Sequence, residues 1–350
     1  MKKISFLIVG FLIFVLVFWL NSCTKKSEVQ PEITFVKPAN FPEPVYKLER
    51  NPITKAGFEL GRMLFYEPLL SRDGSISCGS CHIQGSAFTH HGHDVSHGID
   101  DRLGNRNAPA IQNMAFYPHF MWDGGIFDLD LQPIAPIESH VEMDEQLENV
   151  LEKLRKTRKY PPLFQKAFGT PEITTSKFLK ALSQFMLMMI SSNSRYDKYV
   201  RKEKGGELTQ EELEGLAIFR QKCGTCHSGE LFTDFSFRNI GLSDFVNKDE
   251  GRALITLNPE DKYKFRVPSL RNVALTQPYM HDGRFRTLQE VLNHYSDNMQ
   301  DFPNLDSTFR RGGKLGIPLN ENEKTKIIAF LRTLSDETFI RDKRFSEPTP

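Results

Sequence analysis

The chain reads Cys78-Gly-Ser-Cys-His82 and, 145 residues later, Cys223-Gly-Thr-Cys-His227. Four of its five cysteines are spent on these two units, and the fifth, Cys23, closes a long apolar run. No cysteine is left for a disulfide framework, so the spacing must serve metal, redox or haem chemistry. A zinc site would use Cys and His in tetrahedral array. A redox dithiol would need a βαβ setting and no adjacent His. The His directly after the second Cys in both copies favours covalent haem, with the thiols on the vinyl groups and the imidazole on iron.

The surrounding sequence suits that reading. Met1-Lys2-Lys3 precedes an apolar run from Ile4 to Leu20 and then Asn21-Ser22-Cys23. This is the order of an export signal, while the 17-residue run also sits near the lower limit for a membrane span. The Leu-Asn-Ser-Cys ending resembles a bacterial lipoprotein box with Cys23 lipidated. Residues 1–22 are thus expected to be a lipoprotein signal peptide, placing the chain on the periplasmic side of a bacterial membrane, where haem is attached. With 45 basic and 44 acidic residues, the composition gives no case for nucleic acid. The basic run Lys153-Leu-Arg-Lys-Thr-Arg-Lys159 reads either as a solvated helix end or as a docking patch for an acidic electron carrier.

Residues 23–50, rich in Lys, Glu and Pro, read as a tether. Helical patterning begins after them. Thr209 and Glu212 form a capping box ahead of the second motif, Phe178–Ile190 is an apolar core helix, and Asn320 with Glu323 opens a last helix through Leu334. Met186, Met188 and Met189 on the core helix could each ligate iron, but packing is the plainer role. A Gly-x-x-Leu/Ile-Phe pattern precedes both Cys motifs, as Gly61…Leu64-Phe65 and Gly215…Ile218-Phe219. The stretch Pro109–Leu129 repeats as Pro268–Leu288 at an offset of 159, with seven identities in 21 positions. The fold is therefore expected to be all-α, with two cytochrome c-like haem domains from an internal duplication, over 51–205 and 206–345.

Taken with Arg106-Asn107-Ala-Pro109, Phe120-Met-Trp122-Asp-Gly124, Glu142-Met143 and Pro268-Ser-Leu-Arg-Asn272, these motifs resemble the bacterial di-haem cytochrome c peroxidase family, which includes MauG-like members. The resemblance covers about residues 50–340. It implies two covalent haem c groups, the first peroxidatic and the second handling electrons, with His82 and His227 as proximal ligands and Cys78, Cys81, Cys223 and Cys226 as attachment points. It implies Glu142 as distal acid–base, Gln132 as distal amide and Trp122 between the haems. It also implies a calcium ion at Asn107, Thr276 and Pro278. Met-ligated members carry a Met 14 residues after the His of the His-Asp-Gly motif, here His281-Asp282-Gly283, and at that position this chain and MauG-like members have Tyr, Tyr295. A thioether would favour Fe(II), whereas a phenolate favours Fe(III); His294 is the neighbouring competitor. Ser96-His97-Gly98 resembles the loop that carries a displaceable distal His, so His97 is a further candidate ligand.

The implied activity is a cytochrome-c peroxidase reducing hydrogen peroxide to water with electrons from a small cytochrome c or cupredoxin, anchored through a lipid on Cys23; family members often form homodimers. Two rivals stand beside it: a MauG-like peroxide-dependent oxidation of a partner protein's residues, and a non-enzymatic di-haem electron-transfer cytochrome.

Overall fold

The computed structural model describes residues 33–242 and 248–349. The expected signal peptide and Cys23 lie outside the described residues. The main compact unit begins at Thr34.

Two helix crossings organise this unit. Helix α1 (Lys55–Phe65) packs on α2 (Thr175–Met188), and α3 (Gln210–Lys222) packs on α5 (Glu321–Arg332), with α4 (Leu288–Asp297) against α5. Short polar caps start each crossing helix by accepting an otherwise unsatisfied backbone N–H: Thr54 from Gly57, Thr174 from Lys177, and full capping boxes at Thr209–Glu212 and Asn320–Glu323. The last helix ends at Arg332, two residues short of the expected Leu334.

The repeated glycine has a steric cause. A Cβ on Gly61 would lie 1.9 Å from the Ala181 carbonyl oxygen, and one on Gly215 would lie 2.0 Å from that of Lys326. Only a residue without a side chain lets each helix approach its partner's backbone so closely. The phenylalanine four residues on fills the adjoining space: Phe65 meets Phe185 and Phe219 meets Phe330, each with ring centroids 5.1 Å apart.

The stretches related by the 159-residue offset adopt the same turn. Asn113, Met121 and Gly124 have φ of 57°, 66° and 67°; Asn272, Met280 and Gly283 have 58°, 74° and 68°. Each stretch closes on an isolated antiparallel bridge, Phe120 with Ile126 and Tyr279 with Phe285. Small ribbons complete the architecture: β1 (Phe237–Arg238) pairs antiparallel with β2 (Phe265–Arg266), and β3 (Arg310–Arg311) with β4 (Lys314–Leu315).

A buried polar cluster ties the sequence halves together. Arg271 and Asp197 form a bidentate pair at 2.8 and 2.9 Å, with both side chains fully buried. Gln112 Nε2 donates to the Arg271 carbonyl at 2.7 Å, and Asn272 Nδ2 donates to Ser191 Oγ at 2.9 Å. Burial opposes ionisation of Asp197, but Arg271 and Ser194 overcome it and hold the carboxyl below its ordinary value.

One expectation changes, and one open alternative is resolved. Residues 34–50, assigned to the tether, are docked: Phe41 is 4% exposed and edges onto Phe116, the Tyr46 hydroxyl donates to Asp130 at 2.8 Å, and Val45 and Tyr46 donate backbone N–H groups to Ala115. The basic run is occupied locally, with Lys153 on Glu145, Arg155 on Glu148, Lys156 on Glu152 and Lys159 on Glu67. That is the solvated helix end, not a free cationic patch.

Gly215→Ala is expected to lower unfolding free energy by about 1–3 kcal/mol through overpacking against a backbone oxygen that cannot retreat. Asp197→Ala is expected to cost about 3–5 kcal/mol by leaving Arg271 unpaired. Denaturant unfolding measures both. Asp197's contribution is present above the ordinary carboxylate pKa and is lost as pH falls through its depressed value.

Candidate functional site

The first motif forms a separate short helix, Cys78–Cys81, started by Ser77 and Ser80 in a reciprocal cap. The second continues directly from α3, where the Cys223 N–H donates to the Phe219 carbonyl at 2.7 Å. Each motif opens into its own cavity. One, of about 320 Å³, is lined by Cys78, Cys81 and His82 together with Trp122, Gln132 and Glu142. The other, of about 210 Å³, is lined by Cys223, Cys226, His227 and Tyr295, and again by Trp122.

Both motif histidines are oriented in the same way. His82 Nδ1–H donates to the Phe88 carbonyl at 2.8 Å, and His227 Nδ1–H donates to the Phe232 carbonyl at 2.9 Å. Phe88 and Phe232 present those carbonyls from left-handed backbone, at φ of 63° and 54°. A proton fixed on Nδ1 leaves the Nε2 lone pair for a metal. Burial pushes both imidazoles below the ordinary histidine value, so each stays neutral and ready to ligate.

Burial also pushes the thiols of Cys78 and Cys223 up to about 12 and that of Cys81 up to about 11. A redox dithiol or zinc site needs thiolates, and these pockets disfavour them. Uncharged thioether sulfur suits them. Two cysteine sulfurs and one oriented imidazole in each cavity fit a covalently bound haem, the sulfurs as thioether attachments and the imidazole as the iron ligand.

Glu142 is held between burial, which pushes its carboxyl above the ordinary value, and a hydrogen bond with Ser96, which opposes that rise. Gly98, two residues after Ser96, packs on the Glu142 main chain so closely that a Cβ would lie 2.4 Å from its Cα. The Ser96-His97-Gly98 loop therefore braces Glu142, a role the sequence motif did not suggest. The His97 carbonyl accepts from Cys81 Sγ at 3.6 Å, while its exposed ring stands edge-on to His93 at 4.6 Å. His93 in turn stacks on the buried His90 at 4.0 Å. Gln132 Nε2 contacts Met121 Sδ at 3.9 Å.

Trp122 forms a wall of both cavities. Its indole N–H donates to the Asn107 carbonyl at 2.8 Å, and its own carbonyl accepts from the Arg266 backbone N–H at 2.8 Å. The adjacent Asp123 pairs with Arg106, which also grips Asp249 at 2.6 Å.

Of the neighbours Tyr295 and His294, only Tyr295 lines the His227 cavity. Its ring stacks on Phe309 at 5.9 Å, and its hydroxyl has no protein hydrogen-bond partner among the described residues. Burial raises its pKa above the ordinary phenol value. His294 donates Nε2–H to the Ile240 carbonyl at 2.8 Å.

Asn107, Thr276 and Pro278 share the second cavity wall. Asn107 Nδ2 donates to the His93 and Asp94 carbonyls at 3.2 and 3.1 Å, and Thr276 Oγ1 donates to the Val273 carbonyl at 3.3 Å. Among the described residues no group of three or more His, Cys, Asp or Glu side chains is arranged to hold a metal ion. A cation at the trio would rest on neutral oxygens.

Three features escaped the sequence. The orienting carbonyls of Phe88 and Phe232 carry no signal, because left-handed phenylalanine is not encoded by residue type. Ser96 was visible only as the neighbour of His97. Arg266, which lines both cavities, is a lone arginine in unremarked sequence.

Comparison with known proteins agrees with this geometry. Residues 55–205 match the family described as di-haem cytochrome c peroxidase. The chain is 32% identical to the methylamine utilization protein MauG of Methylorubrum extorquens over 87% of this chain and 84% of that protein. It is 34% identical to a cytochrome c551 peroxidase of Nitrosomonas europaea over 80% of each. Its structure aligns with the crystal structure of a MauG-like protein associated with microbial copper homeostasis, with a TM-score of 0.80 and 33% identity over 90% of this chain and 99% of that one.

Replacing Cys78 and Cys81 together by Ala is expected to leave one covalent haem instead of two. Denaturing mass spectrometry reads this as the loss of one haem mass.

Proposed function

The chain belongs to the di-haem cytochrome c peroxidase family, and from that premise we propose that it reduces hydrogen peroxide to two water molecules with two electrons and two protons, in the cavity of His82. One observation carries the reading: Glu142 and Gln132 face the same cavity as His82, and Trp122 borders that cavity and the next. Haem c, one group held by Cys78, Cys81 and His82 and one by Cys223, Cys226 and His227, would supply the iron and relay the donor's electrons.

The protein's part is proton handling and positioning. Glu142, a partly desolvated carboxyl held by Ser96, takes the proton from the near oxygen of peroxide and returns it to the far one as the O–O bond breaks. Gln132 orients the substrate by its amide. Trp122 is the aromatic route between the two sites. Tyr295 would be the tyrosine that holds iron at the second site, supported by its place in the His227 cavity and by the commitment of His294 to a backbone carbonyl. A hard phenolate there stabilises oxidised iron.

The same Tyr295, with the identity to MauG, favours a second reading: oxidation of a partner protein's residues driven by peroxide. Electrons for the peroxidase reading would come from a small cytochrome c or cupredoxin. His97 is assigned as a displaceable ligand on the loop that braces Glu142. Asn107, Thr276 and Pro278 are assigned neutral-oxygen contacts to one calcium ion. The matching turns and crossings at the two motifs support a duplicated pair of haem domains, 51–205 and 206–345. Lipidation of Cys23 would hold the enzyme at the periplasmic face of a membrane, and a homodimer completes the proposal.

Glu142→Gln is expected to lower kcat/KM for peroxide about 10²–10⁴-fold with both haems retained. In the unaltered enzyme, kcat/KM falls as pH drops through the raised pKa of Glu142, at higher pH than for an ordinary glutamate, and the variant lacks that limb. Steady-state oxidation of a reduced small cytochrome c tests both points; an unchanged rate in the variant would remove Glu142 from the mechanism.

A further inference from the structure

Among the described residues, the buried and half-buried arginines lining the two cavities, and the buried Lys324 elsewhere, are matched by carboxylates, with one exception. Arg271 has Asp197, Arg106 has Asp123 and Asp249, Arg238 has Asp234 and Asp306, and Lys324 has Glu321 and Asp297. Arg266 is only 5% exposed and has no ion pair among the described residues. Its Nε donates to the Met121 carbonyl at 3.3 Å, one Nη donates to the Val267 carbonyl at 3.5 Å, and its guanidinium lies over the Tyr117 ring at 5.2 Å. These are weak or long contacts for a group with five N–H donors. Burying an unpaired charge is costly, and such charges are normally matched or bound to a ligand of opposite sign. Burial pulls this guanidinium below the ordinary arginine value.

Its position indicates the ligand. Arg266 sits on β2, with its backbone N–H on the Trp122 carbonyl, and its side chain lines both motif cavities. Neither contacted carbonyl carries a full negative charge. Besides Glu142, which Ser96 holds, and the phenolate proposed at Tyr295, the groups expected in these cavities that do are the carboxylates on the edge of each haem, which match the planar guanidinium fork. Resting on the di-haem reading, we propose that Arg266 is the propionate anchor at the wall shared by the two haem sites, binding a propionate carboxylate from either side. Two anionic cofactor edges are thereby brought to one cation beside Trp122. A cation there favours the reduced state of each iron, because reduction removes positive charge from the iron centre.

The test compares the haem-loaded protein with Arg266→Gln and Arg266→Lys by spectroelectrochemical titration and resonance Raman spectroscopy. Arg266→Gln is expected to shift the reduction equilibrium of at least one haem toward the ferric form by about tenfold, which is about 59 mV for one electron. The propionate bending bands are expected to move as well. Arg266→Lys keeps the charge but not the fork, so its midpoints should stay near those of the unaltered protein while its bands move. Unmoved bands and midpoints in Arg266→Gln, with both haems attached, would overturn the inference, because a merely structural arginine would alter stability and leave the propionates untouched. If Arg266→Gln does not fold, unmoved bands in Arg266→Lys would overturn it equally. Failure of the unaltered chain to take up haem would overturn the di-haem reading and this inference with it.

Discussion

The hydrogen bond from the Trp122 indole N–H to the Asn107 carbonyl, at 2.8 Å, fixes the one surface that both cavities share. Its surroundings leave that wall little freedom. The Asn107 N–H is itself held by the His281 carbonyl at 2.6 Å, the Trp122 carbonyl is held by the Arg266 N–H, and Asp123 is held by Arg106. Residues from both halves of the sequence thus meet at one indole. Loss of that indole would remove the aromatic group shared by two sites whose proposed chemistry depends on it.

Around the wall, helix packing delivers the attachment residues. The glycine crossings bring α1 onto α2 and α3 onto α5 at backbone contact, and Phe65 and Phe219 then point each helix toward its motif. In the second half the helix runs straight into Cys223. In the first, twelve residues separate Phe65 from Cys78 and hold a short 3-10 turn, Pro68–Leu70, before the motif helix begins. The same local solution is reached by two different connections, because the cavity and not the loop length sets where the sulfurs must lie.

Much of this was legible in the sequence because it rests on local or strongly typed signals. The caps at Thr209 and Asn320 are short-range hydrogen bonds, and the Cys-x-x-Cys-His spacing leaves few chemical alternatives. The resemblance brought Trp122, Gln132 and Glu142 together, and the structure places all three on one cavity. What stayed hidden depends on distant partners. Residues 34–50 look like a linker by composition, yet Phe41 and Tyr46 find their sites on residues 116 and 130. Tyr295 and His294 are adjacent on α4 and equally able to ligate by type; about 100° of helix rotation separates them, and only the fold shows which one lines the cavity. The basic run looks like a patch in one dimension and is a set of local ion pairs in three.

Two readings of the chemistry share this scaffold and diverge at the first site. The carboxyl braced by Ser96 and Gly98 in the His82 cavity is the proposed peroxide site in either case; the loop that braces it also carries His97. The most direct measurement is anaerobic stopped-flow mixing of hydrogen peroxide with the fully ferric protein and, in parallel, with a one-electron-reduced form. A rapid change in the haem spectrum, beginning at the His82 site, is the expected result: in the ferric form if that site is open, or only after reduction if His97 must first leave. No reaction in either form would contradict the peroxide chemistry and would leave the chain as an electron carrier.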